Sequence, residues 1–362
     1  MMPGMIELVA IGATESPKAL QPGGFGAIAA DAVGRRAITY GRSESLVWDL
    51  STGQRLASGG WLRLHPDGRR GLRADSDGSV VVADLETAET LTRLDGVKTA
   101  ALPALGPGEH FADAIRADAP PDRPPAALTH VWALASGKRV HTIEEPSVLA
   151  AYLPEGRLLL VGARGGSSVW DLASAERISL IRATAKRGER PIKLRVSQDG
   201  RTAVTVGSKG TTSVWDLEKA ELVASSDAMT RELGGGARDH FELLADGRHA
   251  VVASRPGAYG DQFIGVMDLA SGELDLSWTT TDEEREISQL AVFPDAPEVA
   301  IVIARRASAP AVLEVWDASD RTMLAATDAP LAKGLVVTAG RRVVITGGGA
   351  WGGAHFFRVY RA

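Results

Sequence analysis

The 362-residue chain contains no cysteine and no asparagine. The first absence removes disulfides, thiolate nucleophiles, zinc ribbons and iron–sulfur sites together. Lysine is scarce, supplying 8 of the 40 Lys and Arg residues. With abundant Ala and Gly, this pattern reads as the coding bias of a GC-rich bacterial genome; the Lys and Glu enrichment of thermophile chains is missing. No apolar run approaches the ~20 residues that span a bilayer, so no membrane segment is expected. The start, Met1-Met2-Pro3-Gly4-Met5-Ile6-Glu7-Leu8, lacks the basic and long apolar regions of a signal peptide, from which a cytoplasmic, unprocessed protein is expected. Nor is there a strong excess of one charge. A net charge of −5 gives no global attraction to phosphate backbones or anionic membranes.

Hydrophobic residues at 44% and charged residues at 23% are those of an ordinary globular chain. Its length is more than twice the usual ~150 residues of a domain, which leaves two domains or one large closed architecture. Internal repetition decides between them. An apolar run ending in Trp-Asp-Leu, followed by a small polar turn, recurs at Val47-Trp48-Asp49-Leu50, Val169-Trp170-Asp171-Leu172 and Val214-Trp215-Asp216-Leu217. Val315-Trp316-Asp317-Ala318 is a fourth copy. Looser copies are Val82-Ala83-Asp84-Leu85, Val131-Trp132-Ala133-Leu134, Val266-Met267-Asp268-Leu269 and Phe357-Arg358-Val359-Tyr360. The eight anchors are spaced by 35, 49, 38, 45, 52, 49 and about 43 residues.

Between anchors lies a second element, two apolar stretches around a Gly-Arg turn, as at Asp67-Gly68-Arg69, Glu155-Gly156-Arg157, Asp199-Gly200-Arg201 and Asp246-Gly247-Arg248. Such turns need positive φ, which Gly adopts freely, so each marks a β-hairpin. The flanking runs, such as Ala203-Val204-Thr205-Val206, are short and β-branched, and no stretch reads as a helix. Each period therefore holds four strands, a to d. The Gly-Arg turn joins a to b, and the Trp-Asp-Leu run closes c.

These residues resemble the WD-repeat β-propellers: a Trp-Asp dipeptide closing strand c in a four-stranded period of ~40–45 residues, repeated over essentially the whole chain. The Gly-His dipeptide of that family is missing from every repeat. The resemblance implies a rigid disc used for protein interaction. The expected fold is all-β, a single domain over residues 1–362: an eight-bladed β-propeller of four-stranded antiparallel blades, with seven blades as the alternative if the period from Trp61 to Leu94 is not a blade. The last period, Leu335–Thr338, Arg342–Thr346 and His355–Tyr360, has no room for a fourth strand. The N-terminal stretch Met5–Ile11 reads as a strand without a blade, and pairing the two fastens the ring without an open edge.

Residues fixed by the repeat, such as the five anchor tryptophans and the Asp after each, are assigned to packing and turn chemistry. Function is sought where the chain departs from its repeat, on the face where the b–c and d–a loops emerge. Long b–c loops include Ala117–Pro125, Arg255–Asp261, Arg305–Pro310 and Gly347–Gly353. The last three belong to consecutive blades and bring Arg255, Tyr259, Arg305, Arg306 and Trp351 to one sector as the expected partner-binding residues. Arg, Tyr and Trp are the residues richest in interface hot spots. Trp351, flanked by five glycines, either anchors a partner or plugs the channel rim. The d–a loops Lys186–Arg190, Met229–Asp239 and Asp282–Glu286 would form a polar rim.

Enzyme signatures fail. Gly207-Ser208-Lys209-Gly210-Thr211-Thr212 has the wrong spacing for a phosphate loop and precedes a strand. The seven histidines show no metal-ligand spacing. Asp239-His240, at the mouth of a strand a, is the one pair placed to reach the central channel. The expected function is a non-catalytic scaffold, without cofactor or metal, that docks a protein or peptide as a monomer or as one subunit of an assembly. The alternatives are a hydrolase or lyase with a metal in the axial channel, and nucleic-acid binding through the arginine-bearing loops.

Overall fold

The computed structural model describes residues 9–16, 27–31, 34–40, 45–98, 104–105, 108–116, 127–145, 147–162, 166–181, 189–228, 240–253, 263–279, 285–305, 311–329, 332–338, 342–348 and 355–361. Among them are 31 strands. After β1 (Val9–Ser16), a seven-stranded sheet runs in chain order through β2 (Ala27–Ala30), β3 (Arg36–Tyr40), β4 (Ser45–Asp49), β5 (Arg55–Leu64), β6 (Arg70–Ala74), β7 (Ser79–Asp84) and β8 (Thr90–Lys98). Five four-stranded sheets follow. They are β9 (Ala104–Leu105), β10 (His110–Arg116), β11 (Ala127–Ala133) and β12 (Arg139–Ile143); β13 (Leu149–Leu153), β14 (Arg157–Val161), β15 (Ser167–Asp171) and β16 (Arg177–Ile181); β17 (Pro191–Val196), β18 (Thr202–Gly207), β19 (Thr212–Asp216) and β20 (Glu221–Ser226); β21 (His240–Leu243), β22 (His249–Ala253), β23 (Phe263–Asp268) and β24 (Leu274–Thr279); and β25 (Arg285–Val292), β26 (Glu298–Arg305), β27 (Ala311–Asp317) and β28 (Thr322–Ala329).

The last sheet joins the two ends of the chain. β29 (Ala332–Thr338), β30 (Arg342–Gly348) and β31 (His355–Arg361) take β1 as their fourth strand, with Val9 opposite Arg361 and Ser16 opposite His355. Of the expected N-terminal strand, Met5 to Leu8 lie outside the described residues.

The seven-stranded sheet departs from the expected separate blades because β5 serves two neighbours. Arg55–Gly59 pairs with β4 and Gly60–Ala74 contact begins the pairing with β6. No loop separates the two halves. Gly59 has φ +144°, and a Cβ on Gly60 would sit 2.5 Å from the carbonyl oxygen of Ala74, so only glycines allow this crossing. The period from Trp61 to Leu94 is fully stranded, as β5 to β8.

Burial follows position in the sheet. The central strands are buried on both faces, as in β7 and β14, whereas outer strands such as β20 carry exposed residues along much of their length. Neighbouring sheets pack face to face, and the anchor residue and the Leu after Asp press onto the preceding sheet. Trp132 and Leu134 join Leu72, Val80 and Val82; Trp215 and Leu217 join Leu159 and Val161; Met267 and Leu269 join Val204 and Val206. The innermost strands touch in an unbroken circuit, β2 to β5, β9, β13, β17, β21, β25, β29 and back to β2.

In six outer strands the register slips by one residue just opposite the anchor position. A bulge there bends the strand and spoils its free edge as a template for another chain. The exposed apolar residues Leu91, Val140, Ile178 and Val223 sit at these bulges.

Candidate functional site

Each sheet gathers its a–b and c–d turns at one end, and the repeat sets their chemistry. In the c–d turn the Asp after the anchor accepts backbone N–H groups: Asp49 Oδ1 takes those of Ser51 at 2.8 Å and Thr52 at 3.0 Å. Asp84, Asp216 and Asp268 repeat the arrangement. In the a–b turn Asp67 accepts from Arg69 and Arg70, and Asp246 from Arg248 and His249. A backbone bond ties one turn to the other: the N–H of Leu50, Leu85, Leu217 and Leu269 donates to the carbonyl of Arg35, Arg69, Arg201 and Arg248.

This donor supply sets the acidity of the carboxylates. Burial alone would raise Asp67, but the N–H groups of Arg69 and Arg70 and the Arg70 guanidinium outweigh it and hold its pKa at about 2. Backbone N–H donation likewise lowers Asp84, Asp171, Asp216 and Asp268.

The seventh period breaks the pattern twice in one turn. Leu50, Leu85, Leu134, Leu172, Leu217 and Leu269 are all buried, but the equivalent residue here is Ala318. Its N–H reaches the Pro297 carbonyl at 3.3 Å, against 2.8–3.1 Å for the leucines. The second departure concerns the residue four places after the anchor's neighbour Asp, or after Ala133 in the third period, which is left-handed throughout. Gly53, Gly137 and Gly272 or Ala88, Ala175 and Ala220 fill it elsewhere, and Arg321, at φ 63°, fills it here. A left-handed Arg costs roughly 1–2 kcal/mol, which Gly avoids.

Beside this turn lies a cleft of about 1030 Å³ between the sheet of β21–β24 and that of β25–β28, at the turn end. Its apolar floor includes Leu244, Val266, Leu274 and Ala318. Its polar wall carries Asp246, Asp268, Glu273, Asp275 and Asp295 against Arg321 and His249. His249 Nδ1 lies 2.6 Å from Asp246 Oδ2, and its Nε2 lies 3.6 Å from Asp268 Oδ2. Arg321 pairs with Asp275 of the preceding sheet. A smaller hollow adjoins it, lined by Ser197, Gln198, Asp199, Gly247 and the shared Ala245 and Asp246.

At the opposite end, most expected partner-binding residues, Arg255, Tyr259, Arg306 and Trp351, lie outside the described residues. Arg305 does not begin a loop: it is the last residue of β26, opposite Arg285 of β25. Arg285 and Glu286, read from sequence as loop, are in β25, and Gly347 and Gly348 end β30.

The anchor tryptophans divide in two. Trp48, Trp132 and Trp215 are buried, and the indole N–H groups of Trp48 and Trp215 donate to Thr39 and Thr205 hydroxyls at 2.9 and 3.1 Å. Trp170 and Trp316 are only half-buried, although each still packs against a core cluster. They donate to Ser168 Oγ and Glu314 Oε2, and the Arg177 guanidinium lies 5.8 Å from the Trp170 ring.

Gly207–Thr212 forms the β18–β19 connection with no helix after it. The Glu189 carboxylate caps it, accepting from the Thr211 N–H at 3.1 Å. Glu242, two residues beyond His240 in β21, is held by a two-pronged bond from Arg195 of β17 at 2.6 Å for each prong. Among the described residues no group of His, Asp and Glu has a metal-holding arrangement, and no helix is long and apolar enough to cross a membrane.

The acidic cleft was not anticipated. In the sequence Asp246 and Asp268 read as turn residues, and both are, while Ala318 reads as an ordinary repeat position. The signal present in the sequence is the Ala in a column that six of the eight copies fill with Leu.

No family model and no curated protein matches the chain. Among solved structures it is similar to the computationally designed Ika8 protein, with a TM-score of 0.63 and 16% identity over 96% of this chain and 100% of the other. It is also similar to the β-propeller domain of Myceliophteria thermophila Cps50 (Swd1), with a TM-score of 0.55 and 11% identity over 98% of this chain and 100% of that one. At these identities the likeness concerns the fold alone, and the fold is that of a β-propeller.

Proposed function

We propose that the chain is a non-catalytic interaction scaffold of the WD-repeat kind, a single eight-bladed disc acting in the cytoplasm as a monomer or as one subunit of an assembly. The count of eight takes the seven-stranded sheet as two blades sharing β5, and the circuit of inner strands from β2 to β29 supports it. A pre-ordered disc docks a partner at low entropic cost.

The docking surface we assign is the b–c and d–a loop face, at Arg255, Tyr259, Arg305, Arg306 and Trp351, with a protein or peptide as partner. One observation carries this choice. Arg285 and Arg305 are register partners at that end of the sheet of β25–β28, with Arg306 next in sequence. Arginines gathered at one end of a sheet would favour an acidic partner surface. Changing Arg305, Arg306 and Trp351 to Ala together is expected to abolish partner capture from extracts of the source cell while leaving the thermal midpoint unchanged. Capture that survives the triple change, or a protein that unfolds, refutes the assignment.

A further inference from the structure

The cleft between β21–β24 and β25–β28 lies at the end of the sheets opposite the proposed loop-face site. We infer that it is a second docking site, built to receive an arginine-bearing segment of a partner protein.

Three observations converge on this occupant. Ala318 lines the cleft at the position where six other periods bury leucine, so the repeat's apolar bulk is reduced there. The walls then supply five carboxylates against one guanidinium and one imidazole, over an apolar floor suited to the stem of a long side chain. A guanidinium already fits: Arg321, held in a left-handed turn that glycine or alanine occupies elsewhere, points across the sheet boundary to Asp275. An incoming arginine would meet the same kind of carboxylate at Glu273 or Asp295.

The occupant is elongated rather than compact. The cleft adjoins the hollow at Ser197–Asp199 through Ala245 and Asp246, so one path crosses three successive a–b turns. That path suits an extended peptide with basic residues spaced along it, and cationic side chains also gain from steering by the acidic wall.

The test uses the full chain and a fluorescent nine-residue peptide with arginine at alternate positions, read by anisotropy, beside the same peptide with citrulline for arginine. The arginine peptide is expected to bind, more weakly as salt rises, and the citrulline peptide to bind at least about tenfold more weakly. Ala318→Leu, which restores the repeat residue, is expected to reduce binding by at least about tenfold with an unchanged circular dichroism spectrum. Should that variant fold poorly, the exposed Glu273→Gln and Asp295→Asn changes are expected to weaken binding on their own. Equal binding of the citrulline peptide, or full binding by a folded Ala318→Leu protein, overturns the inference. So does light scattering that shows the wild-type chain dimerising and the Ala318→Leu chain monomeric, since the occupant is then a second copy. The Arg305, Arg306 and Trp351 triple variant is expected to bind the peptide normally, so failure of the loop-face proposal and failure of this one give different results.

Discussion

Trp215 shows how a repeat residue acquires both of its roles. It is buried against the preceding sheet, and its indole N–H is satisfied by the Thr205 hydroxyl. Trp215→Ala is expected to cost about 3–5 kcal/mol in urea unfolding, whereas Trp170→Ala, at a half-buried position, should cost clearly less. Arg321 presents the opposite case, a residue the turn does not want. Arg321→Gly is expected to stabilise the fold by about 1 kcal/mol, because the exposed pair with Asp275 is worth less than the left-handed strain. A lower unfolding midpoint for that variant would show that the ion pair dominates. The turn aspartates give the molecule its acid sensitivity. Their folded pKa values lie below the usual carboxylate range, so their stabilisation is present above pH ~4 and lost as the pH falls toward the folded value, about 2 for Asp67. The thermal midpoint should therefore drop as pH is taken from about 4 to about 2, and Asp67→Asn should flatten part of that drop.

Among the elements, the β1–β31 pair does the most to finish the structure, since without β1 the strand β31 would present a bare edge. The absence of cysteine makes the register directly testable. Glu15→Cys with Phe356→Cys places thiols on opposed residues, and oxidation should form a single intramolecular bond that raises the melting temperature. Cross-linking between molecules instead would mean that the ends do not pair within one chain. Strand order and the a–b hairpins were legible in the sequence because Asp-Gly turns and anchor runs are local signals. The fusion of two strands into β5 was not, because it depends on how closely Gly60 approaches Ala74, a contact between residues 14 apart in the chain. Nor was the end of β26, where strand pairing with Arg285 extends to Arg305 although its composition reads as loop.

At the scale of the molecule, repetition makes each departure informative. The positions that keep the repeat explain the packing, and the few that break it, Ala318 and Arg321 at one end and Arg305 at the other, are the ones that packing of the repeat does not account for. The loop-face residues were chosen on this principle, as was the acidic cleft, but their legibility differs. Loops announce themselves by length and composition, whereas a cleft between two sheets emerges only when the sheets are packed. The central claim is that a partner docks on the b–c and d–a loop face. Hydrogen exchange on the chain with and without its captured partner tests this most directly. The account predicts slowed exchange concentrated in segments 254–260, 306–310 and 349–354. Protection confined to the turn end of the sheets, or no protection in those three segments, would contradict it.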